Sequence, residues 1–412
     1  MNDFDFTNMK IALITQNIKD PTNYAGAWLR QLQTIYASKL DITVFSNGIT
    51  PLQNLLPESI VNYQDAFTSS FLESPFICQA TQNNIRKQIN VSKKLGRKTS
   101  AQVLIIEHLQ LLRFYHHHFT SSKFDLLLVW NGITHSFQTA GVEIARNLNI
   151  PVVFLERGLI PGSIFYDFEG VNAESSIGKN PLWQQQGHLL THPQLFSKIK
   201  ELIIETGGGL VADSGQTSRI TLEDYVFFPL QRDTDSNMLF NSPYVKNMFS
   251  ILSSLNGWIS QYQKKIPILI RPHPEDPRNH YTKHLVFDNL TIQSDGGLLE
   301  TIEKSAQVMT VNSTVGFTSL ILDKPVIALG KSVYNGRSLC AEPTNMDELR
   351  TILFNRHILS VNKEMSIKRQ DFVRKVIANS HISFQHPDLL DIQTQALKQQ
   401  LETVLNCRHQ EL

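Results

Sequence analysis

Short apolar runs rich in β-branched residues recur along most of this chain, separated by longer amphipathic stretches, and that rhythm restricts the fold more than any other feature. KIALITQ (10–16), DITVFSN (41–47), DLLLVWNG (125–132) and PVVFLERG (151–158) form one series, with helices expected from Trp28 to Lys39 and over 136–148. YVFFPLQ (225–231), IPILIRPHP (266–274), LTIQS (290–294), QVMTVNST (307–314) and PVIALG (325–330) form a second, with a helix over 243–263. Such runs suit strands buried on both faces, and their alternation with helices suits parallel βα units. Two α/β domains are the economical organisation for 412 residues. Residues 50–124 and the chain after 360 read as mostly helical.

Three consecutive glycines in ETGGGLVADSG (205–215) interrupt the pattern and mark the expected boundary. The division is then 1–205, an N-terminal Rossmann-like acceptor-side domain, and 216–385, a C-terminal Rossmann-like donor domain. A helical tail, 386–412, packs back on the first. Thirty-eight Lys and Arg against 37 Asp and Glu leave a net charge of +1, so an anionic partner must be held by a local patch. Nucleic acid is not expected as a partner. The acidic start MNDFDFTNMK has no basic leader region, and no apolar run approaches the roughly 18 residues of a spanning helix. Cys78, Cys340 and Cys407 are scattered without metal or disulfide spacing, which reads as a reduced, cytoplasmic protein.

Four segments carry candidate chemistry. IPILIRPHP ends a strand in Arg271-Pro272-His273-Pro274, so a guanidinium and an imidazole stand at its carboxyl end, where open α/β sheets place ligands. They suit a phosphate or a carboxylate; the prolines alternatively do no more than end the strand. QVMTVNSTVG places Asn312, Ser313, Thr314 and Gly316 between a strand and a helix, which makes an anion site or an ordinary N-cap. In YVFFPLQRDTDSN, Gln231, Arg232, Asp233 and Asp235 follow a strand. Asp233-Thr234-Asp235 superficially matches a D-x-D metal motif but is equally a capped turn, and Asp233 is mainly a candidate nucleophile or base. In PVVFLERGLIPG, Glu156 and Arg157 end a strand, so Glu156 is either a catalytic carboxylate or a salt-bridge partner.

Taken in order, these segments resemble the bacterial capsule polysaccharide synthesis family, which contains β-Kdo (3-deoxy-D-manno-oct-2-ulosonic acid) glycosyltransferases. The matching pieces are E-x-G-x-x-P with GVN (Glu156, Gly158, Pro161; Gly170, Val171, Asn172), Q-x-D-[ST] (Gln231, Asp233, Thr234), RPHP (271–274) and NSTVG (312–316). GKSVYNG (330–336), with Tyr334, resembles the family's glycine-tyrosine segment. The resemblance implies a GT-B-like fold, two Rossmann-like domains facing across a cleft, with CMP-Kdo held mainly by the C-terminal one. It implies Arg271, His273, Ser313, Thr314, Asn312, Gln231 and Gly316 as donor-binding residues, with Asn172, Arg232, Asp235 and Tyr334 as additional candidates. Asp233 would be the nucleophile of a retaining double displacement, Asp235 the alternative, and Glu156 the acid/base. No cofactor and no metal are implied, because one phosphate is within reach of Arg, His and a helix N-terminus.

The expected activity is transfer of Kdo from CMP-Kdo to a lipid-linked or glycan acceptor in capsule or lipopolysaccharide O-antigen assembly. The alternatives are transfer of another sugar, from CMP-sialic acid or a nucleotide-diphosphate hexose, and a non-catalytic capsule assembly or export component. Arg86, Lys87, Lys93, Lys94, Arg97 and Lys98 occur with no acid between Gln82 and Ser100. They suit an anionic acceptor or the inner face of the inner membrane, where capsule assembly proteins would be partners; they also suit a solvated helix face. His108 and His116-His117-His118 are not expected to hold metal, since adjacent helical side chains diverge.

Overall fold

A computed structural model describes residues 9–15, 41–46, 60–67, 78–208, 224–261, 266–276, 290–293, 296–354, 360–384 and 386–410. The helix expected from Trp28 to Lys39 lies outside the described residues. The chain forms two units: Met1–Gly158 with Ser163–Ser176 and Asn379–Leu412, and Leu159–Gly162 with Ile177–Ala378.

The first unit is built on strands β1 (Lys10–Ile14), β2 (Asp41–Ser46), β3 (Ile60–Asn62), β4 (Leu126–Trp130), β5 (Val152–Arg157), β6 (Ser163–Asp167) and β12 (His381–Ser383). Their order is β12-β6-β5-β4-β1-β2-β3; β1 to β5 are parallel, and β6 and β12 add antiparallel at one edge. Two apolar faces result from strand alternation. Ala12, Ile14, Phe45, Leu127, Val129 and Phe154 pack with Leu112, Tyr115 and Ile144 of the Ala101–Ser122 and Ser136–Asn147 helices. Their neighbours Ile11, Leu13, Val44, Leu126, Leu128 and Val153 pack with Leu397, Leu401 and Leu405 of the Pro387–Gln410 helix. Strand β3 lies in a region that reads as helical, and β6 and β12 have no clear signal in the sequence pattern.

The second unit uses β7 (Val226–Pro229), β8 (Ile268–Arg271), β9 (Leu290–Ile292), β10 (Gln307–Thr310) and β11 (Val326–Ala328), all parallel, in the order β11-β10-β7-β8-β9. Each sheet therefore starts at its centre, winds outward through two strands, and returns to wind the other way. That is the doubly wound Rossmann order, with its switch point between β1 and β4 in one sheet and between β7 and β10 in the other.

The boundary differs from the expected one. Gly207 (φ +70) and Gly208 (φ +78) end the Leu195–Glu205 helix inside the second unit: Gly208 N–H donates to Ile203 O at 2.8 Å and Gly207 N–H to Ile204 O at 3.3 Å. This is the doubly bonded stop that left-handed glycines permit, so the glycines punctuate a helix and the units part near residue 176.

Candidate active site

The carboxyl ends of β7, β8 and β10 stand side by side at the second unit's switch point, and most of the expected donor residues lie there. Arg271 is the last residue of β8, half-buried, and its carbonyl accepts from Leu230 N–H at 2.8 Å. His273 Nδ1 accepts from Glu275 N–H at 3.1 Å, which leaves Nε2 to carry the proton of the neutral ring. Burial, and then the nearby Arg232 guanidinium, push its pKa below the usual histidine value. Arg232 pairs with Glu275 at 3.3 Å, while its Nε is buried without a hydrogen-bond partner among the described residues.

Ser313 caps the Thr314–Ile321 helix, its Oγ accepting from Val315 N–H at 3.2 Å; Ser313 and Thr314 are both half-buried. Gly316 packs against Tyr334: a Cβ there would lie 2.3 Å from the phenol oxygen, and that hydroxyl donates to Ser313 O at 3.2 Å. Tyr334 is 1% exposed and supports the first helical turn at Gly316 and Ser313.

Gln231 and Asn312 bond to each other. Asn312 N–H donates to Gln231 Oε1 at 3.0 Å, and Gln231 Nε2 donates to Asn312 Oδ1 at 2.9 Å. Asn312 Nδ2 in turn donates to the carbonyls of Asn237 at 3.0 Å and Asn241 at 3.2 Å. Both side chains are buried, and together they tie the end of β7 to the end of β10 across the switch point.

Asp233 is half-buried, and its Oδ1 accepts from Met248 N–H at 2.8 Å, at the start of the Met248–Gln261 helix. One carboxylate oxygen is thereby fixed in direction. Asp235 caps the Ser236–Phe240 helix through Asn237 N–H at 2.8 Å, so the D-x-D spacing serves local turns. Among the described residues no three His, Cys, Asp or Glu side chains are grouped to hold a metal ion.

In the first unit, Glu156 lies near the end of β5 and accepts from Asn131 Nδ2 at 2.7 Å and from Arg157 N–H at 3.0 Å. Asn131 has φ +63, and its Oδ1 accepts from Ile133 N–H at 3.3 Å and Thr134 Oγ1 at 2.5 Å. It was missed from sequence, although an Asn-Gly pair straight after an apolar strand is a turn signal at a sheet's carboxyl end. Gly158 leaves room for the turn into β6: a Cβ would meet Ser163 O at 2.7 Å. Asp167, also missed, accepts from Glu169, Gly170 and Ser176 N–H at 2.8 to 3.1 Å and so shapes the GVN loop, in which Asn172 has φ +54. Burial raises the Asp167 pKa despite those donors.

Arg86, Lys87, Lys93, Lys94, Arg97 and Lys98 are all exposed on and after the Gln79–Lys94 helix. His108 is instead fully buried, with Nε2 3.4 Å from Glu143.

Two Rossmann-ordered sheets, with polar and charged groups gathered at strand carboxyl ends, define an α/β protein of two doubly wound units. Residues 197–352 match the family model described as capsule polysaccharide biosynthesis protein, and the family resemblance carried by the motifs holds. The chain is 25% identical over 340 residues to protein FixF of Sinorhizobium fredii (strain NBRC 101917 / NGR234), covering 79% of this chain and 80% of that protein. Among solved structures it is similar to Thermosulfurimonas dismutans KpsC, β-Kdo 2,7 transferase, at 18% identity and TM-score 0.42, covering 78% of this chain and 96% of that one. It is also similar to the β-Kdo 2,4 transferase of the same KpsC at 16% identity and TM-score 0.45, covering 60% and 79%.

Proposed function

We propose that this protein is a glycosyltransferase of capsule polysaccharide biosynthesis that transfers Kdo from CMP-Kdo to a lipid-linked or glycan acceptor with retention of configuration. The observation that carries the reading is the gathering of Arg232, Arg271, His273 and the Ser313-capped helix start at the carboxyl ends of three neighbouring strands. The buried Arg232 Nε, without a partner among the described residues, suits an anionic ligand, and the helix N-terminus adds the positive end of its dipole. Kdo and its CMP carrier supply one carboxylate and one phosphate, and the site needs no metal to meet them.

In this reading an Asp233 oxygen attacks the anomeric carbon as the bond to the CMP phosphate oxygen breaks, and CMP departs with the bonding pair. The acceptor hydroxyl then displaces Asp233 while Glu156 takes its proton. The hydrogen bond from Met248 N–H fixes the direction of the Asp233 carboxylate. Asn131 orients the Glu156 carboxylate in the same manner.

Intact-protein mass spectrometry after incubation with freshly generated CMP-Kdo tests the proposal. The expected result is a Kdo-sized mass increase in the wild type and in Glu156→Gln that is absent in Asp233→Asn. If no adduct forms and CMP release stays at the spontaneous rate with candidate acceptors present, the donor assignment falls.

A further inference from the structure

The helix pair Gln79–Lys94 and Ala101–Ser122 presents a surface that the sugar chemistry does not use. The sequence holds no acidic residue between Glu73 and Glu107, and six bases fall within that interval. All six are exposed, and directly after them the second helix starts with Val103, Ile105 and Ile106 at 43%, 36% and 55% exposure. The linker between the helices is a built turn. Gly96 (φ +62) donates to Lys93 O at 3.1 Å and Arg97 N–H donates to Ser92 O at 2.9 Å, a helix stop that sets Arg97 and Lys98 beside the last helical turn. Ser100 Oγ then accepts from Val103 N–H at 3.3 Å and opens the next helix.

The pair is fixed from beneath. Glu143 of the Ser136–Asn147 helix accepts from Thr81 Oγ1, from Asn84 Nδ2 at 3.0 Å, and lies 3.4 Å from His108 Nε2, so a single buried carboxylate clamps both helices. The bases and the aliphatic side chains are therefore exposed on two consecutive helices anchored to the same carboxylate.

We infer that this patch docks the protein on an anionic lipid bilayer, with the bases among the headgroup phosphates and Val103, Ile105 and Ile106 in the interfacial apolar layer. The mixture of side chains selects the occupant. Bases alone would serve an anionic glycan, but a glycan offers no apolar interior to receive three exposed branched aliphatics. A second copy of the chain would set like charges against each other, whereas a bilayer with anionic headgroups complements both components. Among the described residues no helix is long and apolar enough to cross a membrane, which leaves attachment in the plane of the interface. The inference stands apart from the identity of the sugar donor.

The test is co-sedimentation of the full chain with phosphatidylcholine vesicles, with and without phosphatidylglycerol, over a salt series. Wild type is expected to bind the phosphatidylglycerol vesicles and to release them with rising salt. A Lys93→Gln, Lys94→Gln, Arg97→Gln, Lys98→Gln variant is expected to lose about tenfold or more in vesicle affinity. A Val103→Ser, Ile106→Ser variant is expected to lose about tenfold while circular dichroism and thermal melting stay at the wild-type values. Equal binding to phosphatidylcholine alone overturns the inference, as does absence of binding to either vesicle. An unchanged affinity in the aliphatic variant also overturns it, and then assigns the bases to a soluble polyanion; self-association lost in that variant assigns the face to a second copy.

Discussion

Asn312, a donor-ligand candidate from sequence, is a knot that ties the end of β7 to the end of β10. Its side-chain amide gives both hydrogens to backbone carbonyls and its oxygen takes one from Gln231, within a pocket so tight that a Cβ on Gly330 would lie 3.0 Å from Asn312 Nδ2. Asn312→Asp keeps the shape and reverses the chemistry, aiming a carboxylate oxygen at the Asn237 and Asn241 carbonyls. We expect a loss of about 3 kcal/mol, read from urea unfolding, because a buried charged acceptor facing acceptors forfeits its hydrogen bonds and its hydration together. Replacements outside that network at the same strand ends, Thr314→Ala among them, are expected to leave stability within about 0.5 kcal/mol. The contrast separates a residue of the buried hydrogen-bonded frame from a half-buried one outside it.

The three-helix clamp of the first unit gives the element scale its own prediction. Burial pushes the Glu143 pKa up, but hydrogen bonds from His108, Thr81 and Asn84 outweigh it and hold the carboxyl below its ordinary value. A carboxylate so depressed contributes fully above the unfolded-state pKa, and the contribution disappears as pH falls through the folded value. Glu143→Gln should therefore cost about 2 kcal/mol at neutral pH, and the gap to wild type should narrow below about pH 4.5 in thermal melts across pH. A gap that stays constant with pH would show that the cost is packing alone. Elements of this kind were only partly legible. The buried parallel strands were, because runs such as LLLVW are apolar on both faces and bounded by turns. The helix caps at Ser313 and Asp235 were too, as local chemistry sets them. Strands β3 and β12, three residues each, carry no periodicity of their own and exist only through distant partners, β12 pairing antiparallel with β6. The site motifs were legible as segments, but sequence shows which polar groups gather and not which of them satisfy one another, as Gln231 and Asn312 do.

At the scale of the whole molecule, connectivity decides which piece can stand alone. The second unit owns a nearly unbroken run, Ile177–Ala378, including all five strands of its sheet. The first unit does not: its edge strand His381–Ser383 and the helix that buries Leu397, Leu401 and Leu405 against β1, β2 and β4 come from the far end of the chain. A triple-glycine boundary is a reasonable guess from composition, but chain flexibility is a local property and a domain is defined by which surfaces bury one another. The consequence is asymmetric. A fragment of residues 177–378 is expected to fold cooperatively and to bind CMP, because it retains the strand ends that carry Arg232, Arg271, His273 and Ser313. A fragment of residues 1–205 is expected to be insoluble or to lack a cooperative melt, since one face of its sheet, with Ile11, Leu13, Leu126 and Leu128, would be left uncovered. Supplying residues 379–412 in trans, or fused through a flexible linker to the end of the first fragment, should restore the transition. Leu401→Ala in the full chain should weaken the first unit by about 2–5 kcal/mol. Calorimetry of the three forms checks the scheme: cooperative melting of 1–205 without the tail would show that the tail helix is dispensable to the first unit's core.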